Sequence, residues 1–313
     1  MIHSLVLTFS PKTKEDFEIF DSILKQFKYK RNLIIEPIDS NIKLFIFTDK
    51  KFIQFKIYDL AEYLSLNEIT NRDYNYFSSK FNKSINHFGL SLNQLNTTRL
   101  DYKLDLQITA DEMQEYLYVF SKLRKRYYSL KKKVYWNKDK SKIETVYYKG
   151  SKFNINIYDK QAQLLKKGIH DSIYNNILRI EVQVKSRELN NYSKSCGISK
   201  DLINFWHTSV RDYFFNYLLI DKLLYSGDYY NLKNVKKQIN NVKLSTQQRI
   251  IKFCKQIAKE DITDAINSLS RETAQKYIKE LTDRNVNPIT IKNFNSLMGI
   301  KTILKEKEVM YKI

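Results

Sequence analysis

The sequence predicts an α+β protein: a mainly antiparallel sheet with helices on one face, followed by a helical C-terminal domain. Segments that alternate polar and apolar residues, as strands do, recur up to residue 185. Beyond residue 187 the apolar residues repeat at helical spacing almost to the end of the chain. With only six glycines and three prolines in 313 residues, we expect regular elements joined by short connections. The predicted domains are 1–195 and 196–313.

The individual elements follow from periodicity and from end signals. A helix over 13–28 is opened by Thr13, with acidic residues in its first turn. A hairpin is expected over 41–58, turning at 48–51. The remaining predicted elements are strands at 4–9, 98–108, 143–149, 153–159, 178–185 and 302–306, and helices at 72–86 and 110–130.

Charge is the first sign of a partner. Fifty-four Lys and Arg residues against thirty-four Asp and Glu give a net charge of +20, and such an excess attracts polyanions. An ordinary solubility charge is the alternative. Cys196 and Cys254 have neither disulfide nor zinc spacing. No segment has the length of a membrane span, and the N-terminus does not resemble a signal peptide, so we expect a cytoplasmic protein that does not enter membranes.

Three predicted strands each carry one apolar and one polar face, because side chains alternate along a strand. The polar faces are, strand by strand, Arg99, Asp101, Lys103 and Asp105; Asn154, Asn156 and Tyr158; and Arg179, Glu181, Gln183 and Lys185. If the strands pair in one sheet, these groups converge on its open side. A solvated face of an antiparallel sheet would show the same pattern, and spacing alone leaves the choice open.

These segments resemble three ordered motifs of rolling-circle replication initiators. The motifs are the residues 98–105 (TRLDYKLD), 157–160 (IYDK) and 179–185 (RIEVQVK). The similarity covers roughly residues 95–195 and is closest to the initiators of staphylococcal-type plasmids and the gene II/X replication proteins of filamentous phages. Each motif is weak alone, and the ordered set is moderately specific.

The resemblance implies a site-specific DNA endonuclease and strand transferase. It makes Tyr158 the nucleophile that forms a 5′-phosphotyrosyl link, and it makes Asp101 and Glu181 metal ligands, with Asp105 at a second acidic position. Hard carboxylate oxygens favour Mg²⁺ or Mn²⁺ as the cofactor. Expected partners are origin DNA, both duplex and single-stranded, and the host helicase and polymerase; the sequence leaves a homodimer open.

Two departures from known nicking enzymes affect the site. Plasmid relatives tend to have Arg two residues before the tyrosine, where this chain has Asn156. Lys160, Arg99 or Arg179 would then supply the cation at the phosphate. The four histidines are isolated along the chain, which excludes the class with a His-hydrophobe-His metal motif.

Other tyrosines compete with Tyr158. Tyr147 and Tyr148 lie in the preceding strand, and one of them faces the same side as Tyr158. We expect both to pack or to stack on bases. Tyr102 falls on the apolar face of its strand and is expected in the core.

The C-terminal region predicts a helix-turn-helix. Residues 245–287 have the pattern of a helix, a short helix, a turn and a helix, and Ser270 is placed to cap the last one. Ala274, Ile278 and Leu281 are expected to pack inward. The predicted DNA-binding residues, on the outer face, are Arg271, Gln275, Lys276 and Lys279. A small helical bundle without DNA binding would give nearly the same pattern.

Two rival functions remain at this point. A mobilisation relaxase of a conjugative element would use the same residues. A DNA-binding regulator that kept the fold without catalysis would bind duplex DNA but not cut it. The Arg…His-x-x-Arg…Tyr pattern of tyrosine recombinases does not occur, which argues against that class.

Overall fold

The computed structural model of the chain describes residues 1–27, 32–123 and 130–304. It is an α+β protein with a large antiparallel sheet, as predicted. The strands of the large sheet are β1 (Ile2–Phe9), β2 (Leu33–Pro37), β3 (Ile42–Phe47), β4 (Phe52–Ile57), β5 (Asn96–Gln107), β6 (Lys131–Trp136), β7 (Ile143–Lys149), β8 (Phe153–Asp159) and β9 (Ile177–Lys185). Their order is β2-β3-β4-β1-β5-β9-β8-β7-β6. The three motif strands β5, β9 and β8 are therefore consecutive in the sheet.

The helices of the first two hundred residues lie between these strands along the sequence or directly after the last of them. They are α1 (Lys14–Gln26), α2 (Leu60–Leu64), α3 (Tyr74–Ile85), α4 (Ala110–Lys122), α5 (Lys160–Leu165) and α6 (Ser186–Cys196). Thr13 opens α1 through a capping box with Asp16, as its sequence predicted. α4 ends at Lys122, and residues 124–129 of the predicted helix lie outside the described residues.

The C-terminal part is mainly helical. Its helices are α7 (Thr208–Phe214), α8 (Leu232–Gln238), α9 (Leu244–Lys259), α10 (Ile262–Asn267) and α11 (Arg271–Thr282), and a two-stranded sheet joins β10 (Tyr229–Tyr230) to β11 (Ser296–Leu297). The strand predicted at 302–306 is wrong for residues 302–304, which are helical. Residues 305 and 306 are outside the described residues.

Contacts divide the chain into two compact units. Unit 1 contains residues 1–104, 151–153 and 181–214, and unit 2 contains residues 105–150, 154–180 and 215–313. The boundary predicted at 195–196 falls inside α6 and within unit 1. Both units thus draw on sheet and helical segments that are distant in sequence.

The core of unit 1 lies between helices and one face of its strands. Phe55 of β4 packs edge-on against Phe81 of α3, with ring centroids 5.8 Å apart. Tyr102 of β5 is fully buried, stacks on Phe214 of α7 and donates a hydrogen bond to the carbonyl of Phe205. Burial raises the pKa of the Tyr102 phenol well above its usual value. The expectation that Tyr102 belongs to the core is confirmed.

In unit 2 the helix α4 packs against β7. Tyr148 is fully buried and its hydroxyl donates to the carbonyl of Phe120 in α4. Tyr148 stands opposite Ile155 of β8, whereas Tyr147 stands opposite Asn156 and Thr145 stands opposite Tyr158. Directly opposed residues share a sheet face. Tyr148 therefore packs in the core, and Tyr147 is on the face that carries Tyr158.

Candidate functional site

Asp101 is the centre of a polar cluster on the open face of unit 1. Its side chain is 7% exposed and accepts hydrogen bonds from three neighbours. Arg99 donates through Nε at 2.9 Å and through a second guanidinium nitrogen. Ser4 of β1 donates through its hydroxyl, and Gln183 of β9 donates through Nε2 at 3.3 Å. Gln183 thus links β9 to β5 on the polar face, where the sequence pattern had put both residues.

Glu181 forms a second acidic position in unit 1, next to a residue that the sequence analysis missed. Its Oε1 lies 3.7 Å from Nε2 of His3, whose Nδ1 lies 3.8 Å from Oδ2 of Asp59. The predicted strand began at residue 4 and left His3 out. In β1 the register shifts between Ile2 and Ser4, so that His3 is the extra residue of a bulge. Strand periodicity cannot predict this position, because a bulge interrupts it.

The exclusion of a His-hydrophobe-His motif stays a prediction, and one histidine nevertheless lies in the acidic cluster of unit 1. The four histidines are isolated in the sequence, but the fold brings His3 between the carboxylates of Asp59 and Glu181. The distances are longer than direct hydrogen bonds. If the imidazole is protonated, it would partly offset the charge of both acids.

The nucleophile candidate, Tyr158, lies at the end of β8 in unit 2. Tyr158 is 2% exposed, although the strand pattern had placed it on the open side of the sheet. Alternation along β8 does put Tyr158 on the face opposite the buried Ile155 and Ile157. Other parts of the chain can cover a strand face even when its residues are polar. The alternation of residues along the strand does not show whether this happens.

Two of the predicted cations of unit 2 flank Tyr174. The Nζ of Lys160 is 5.5 Å from the Tyr174 ring centroid, and the guanidinium carbon of Arg179 is 5.9 Å from it. Lys160 also donates to Oε1 of Gln163 at 3.0 Å. Tyr174 is half-buried and lies in the connection between β8 and β9, where no sequence motif had singled it out.

Asp105 and Arg179 form a two-hydrogen-bond ion pair within unit 2. Arg179 donates through Nε at 2.6 Å and through a terminal nitrogen at 2.7 Å to the two carboxylate oxygens. Arg179 is 1% exposed. A bidentate pair of this kind uses both oxygens of Asp105. The negative charge of Asp105 is therefore paired with the positive charge of Arg179.

The three cations proposed for the phosphate differ in accessibility. The Arg99 side chain is 29% exposed, whereas that of Arg179 is 2% exposed and Lys160 is buried. Of the three, Arg99 presents the most surface to a ligand.

Two acids on the polar face of unit 1 could serve as ligands of a cation. Among residues 1–27, 32–123 and 130–304, no group of three or more His, Cys, Asp or Glu side chains is arranged to hold a metal ion. Mg²⁺ is commonly held by one or two carboxylates and completed by water and substrate phosphate. Asp101 and Glu181 are both on the polar face of unit 1 and supply such oxygens.

The predicted DNA-binding residues of α11 are exposed. They are Arg271, Gln275, Lys276 and Lys279. The helix begins after Ser270, which caps the backbone N–H of Thr273, as predicted. The packed side consists of Ala274, Tyr277 and Leu281. Ile278, which the sequence placed in that row, is only half-buried, and Tyr277 instead packs against Phe253 of α9.

The helices α9, α10 and α11 have the predicted order of long helix, short helix, turn and helix. A cavity of about 810 Å³ opens between α9 and α11. Arg249, Lys252, Lys255 and Lys259 of α9 line it and are exposed. From α11 the cavity is lined by Thr273 and Tyr277, so its positive charge comes from α9.

Neither cysteine forms a disulfide: Cys196 is exposed and Cys254 is buried. Burial raises the pKa of the Cys254 thiol to about 12, so it is not a nucleophile at neutral pH. Within the described parts of the chain, no helix has the length and apolar character needed to cross a membrane.

No family model matches the chain, and no curated protein matches it. Among solved structures, a rolling circle replication initiator protein from Geobacillus stearothermophilus is similar to it at 11% sequence identity and a TM-score of 0.36. The similarity covers 72% of this chain and 86% of that one. At this identity and score, the similarity gives no information about activity.

Proposed function

We propose that the protein nicks and rejoins one strand of DNA as a rolling-circle replication initiator, with Tyr158 as the nucleophile. The observation that carries the proposal is the order of the motif strands: β5, β9 and β8 are neighbours in one sheet. Their adjacency was the condition that the sequence pattern required.

In this mechanism the phenol oxygen of Tyr158 forms a bond to phosphorus and the bond from phosphorus to the 3′ oxygen breaks. The phenol proton ends, through solvent, on the departing 3′ oxygen. The products are a 5′-phosphotyrosyl link and a free 3′-OH, and the energy of the phosphodiester is kept for rejoining. A phenolate, with an ordinary pKa of about 10, is a good leaving group in that reverse step.

The neighbouring side chains have separate tasks. Asp101 and Glu181 would hold Mg²⁺ or Mn²⁺, which polarises the phosphate when bound. Asp101 and Asp105 each accept two hydrogen bonds from an arginine, and the two arginines differ in exposure. We leave Asp105 out of this ligand set because its partner Arg179 is buried, whereas Arg99 beside Asp101 is 29% exposed and can turn from the carboxylate to a phosphate. Arg99 supplies positive charge at the phosphate, since its side chain is the most accessible of the candidate cations. Arg271, Gln275, Lys276 and Lys279 of α11 would find the origin in duplex DNA.

One observation favours a second candidate function, the DNA-binding regulator. Tyr158 is 2% exposed, and catalysis requires that DNA reach its hydroxyl. In a regulator Tyr158 would simply pack. The mobilisation relaxase shares the nicking chemistry, and no observation on this chain favours it over an initiator.

The deciding experiment looks for a covalent adduct. The full chain is incubated with Mn²⁺ and a pool of random single-stranded oligonucleotides labelled at the 3′ end, then denatured and run on a gel. Label that stays with the protein is expected for the native chain and absent for Tyr158→Phe. Tyr147→Phe, on the same sheet face, is the matched control and keeps the adduct. No adduct from the native chain favours the regulator, and an undiminished adduct in Tyr158→Phe overturns the assignment of the nucleophile.

A further inference from the structure

The outer strands of unit 1 carry aromatic rings on the same open face as Asp101. Phe45 and Phe47 of β3 and Phe52 of β4 alternate with buried residues and remain half-exposed. Phe47 and Phe52 are directly opposed, and their rings stack with centroids 4.3 Å apart. We call these three phenylalanines the aromatic platform.

The platform lines an open groove of about 720 Å³ that continues to the polar cluster. Thr8 and Gln54 line the middle of the groove, and Arg99 and Gln183 line its other part. Arg99 and Gln183 are the residues that donate to Asp101. One continuous surface of unit 1 thus connects the aromatic rings with the candidate carboxylate.

Positive charge accompanies the rings. Lys43 of β3 and Lys56 of β4 are directly opposed in register, and both lie over the ring of Tyr58, at 5.4 Å and 4.1 Å from its centroid. Directly opposed like charges destabilise a sheet. Among the ion pairs of the described residues, neither lysine has a carboxylate partner. An anion bound on this face would relieve the repulsion.

We propose that the aromatic platform binds single-stranded DNA next to the site of cleavage, with bases stacked on Phe45, Phe47 and Phe52 and with phosphates near Lys43 and Lys56. Single strands offer free base faces for stacking and a backbone for cations, whereas a duplex stacks its bases internally. The net charge of +20 suits the same ligand. This inference deepens the proposed function, since it assigns the strand-holding surface of that site.

The test measures binding without cleavage. Fluorescence anisotropy of a labelled thymidine oligonucleotide, in EDTA, gives the affinity of the full chain and its variants. Phe47→Leu keeps an apolar side chain of similar size but loses the ring, and it is expected to weaken binding about tenfold, as the loss of one base stack does. Phe47→Tyr restores the ring and the affinity. The control is Tyr76→Ala, which removes an exposed aromatic ring from α3.

The lysines give an independent readout. Lys43→Ala and Lys56→Ala should each lower the slope of log affinity against log salt by about 0.7, the value for one lost phosphate contact on a single strand. Affinity for a duplex of the same length is expected to stay unchanged in the Phe47 variants.

Unchanged single-strand affinity in Phe47→Leu overturns the inference, and so does an equal loss for duplex DNA. Ile35 of β2 is directly opposite Phe45 and is half-exposed on the same face. If the protein self-associates, and if Ile35→Glu abolishes this while the single-strand affinity stays unaffected, the face would be assigned to a second copy instead. Because the assay needs no nicking, the platform can hold even if Tyr158→Phe leaves the adduct intact. Conversely, if Phe47→Leu still nicks DNA and binds single strands with normal affinity, only the platform is refuted and the proposed function stands.

Discussion

Arg179 is a buried cation that forms an ion pair with Asp105. It is 1% exposed, and Asp105 accepts two of its hydrogen bonds. We expect Asp105→Leu to lower the free energy of unfolding by about 3 kcal/mol, because it removes the counter-charge of a buried guanidinium. Urea denaturation measures this. Asp21→Asn, at an exposed position of α1, should change stability by less than about 0.5 kcal/mol.

Variants of the three carboxylates should differ in how much Mn²⁺ raises their melting temperature. Mn²⁺ is expected to raise the melting temperature of the native chain, because a cation that binds the folded state stabilises it. Asp101→Asn and Glu181→Gln should remove this shift. Asp105→Asn should keep it, since the buried guanidinium of Arg179 holds that carboxylate, whereas the partly exposed Arg99 can release Asp101. A lost shift in Asp105→Asn alone would return Asp105 to the ligand set.

At the scale of the elements, an ion pair connects Lys132 of β6 with Asp261, the N-cap residue of α10. Lys132 donates to Asp261 at 2.8 Å, and Asp261 also caps α10 through the N–H groups of Thr263 and Asp264. Burial raises the pKa of the Asp261 carboxyl, but the bond with Lys132 and the cap bonds outweigh burial, and the pKa lies below its usual value. The charged form is therefore favoured by folding.

The consequence is a dependence of stability on acid. Asp261→Asn retains the cap but loses the charge, and should cost about 1–2 kcal/mol at pH 7. A lowered folded pKa gives stability that is present above the unfolded pKa, about 3.9, and is lost as pH falls through the folded value. The free energies of unfolding of the native chain and of Asp261→Asn should therefore approach each other as the pH falls below about 4. A difference in the free energy of unfolding that stays constant down to about pH 2, about two units below the unfolded pKa, would contradict this.

The helix α11 gives a prediction about DNA. If it reads a major groove, Gln275→Ala should cost about 1–3 kcal/mol on the preferred duplex and relax specificity at one position. Lys276→Ala, if it meets a phosphate, should weaken binding evenly and lower the salt slope by about 1. Selection from a random duplex pool followed by titration separates these effects. Lys14→Ala, a fully solvated lysine of α1, is the control. Equal, sequence-independent losses in both α11 variants would mean that α11 does not read bases.

At the scale of the whole molecule, the two units are not two blocks of sequence. Residues 196–214 belong to unit 1, and Trp206 among them is 1% exposed. Its Nε1 donates to the carbonyl of Thr70 at 2.9 Å, and its ring stacks on Phe77 at 5.1 Å. Loss of one such buried aromatic costs about 3–5 kcal/mol.

A fragment of residues 1–195 should therefore fail to fold cooperatively. It lacks Trp206, Phe205 and Phe214 from the core of unit 1. Circular dichroism during heating is the measurement, with the full chain as the reference. A sharp melting transition of the fragment, at the temperature of the full chain, would show that residues 1–195 are an independent domain.

Several elements could be predicted from local signals. The hairpin of β3 and β4, the capped α1 and α11, and the strands β5, β7, β8 and β9 all match their predicted positions closely. In contrast, β2 and β6 were missed. Each is an end strand of the large sheet, and its pattern departs from clean alternation, as in Lys131-Lys132-Lys133 of β6. Pairing with one neighbour, rather than local pattern, defines such strands.

For the site, the sequence by itself determined which residues share the polar face of each strand, because the period of two depends only on the backbone. It thereby identified Asp101, Glu181 and Gln183. Only the tertiary structure decided that β9 lies beside β5, that a bulge brings His3 to Glu181, and that Asp105 pairs with Arg179. It also decided that Tyr158 is buried. These features depend on contacts between segments that are far apart in the sequence. The alternation of residues along one strand holds no information about such contacts.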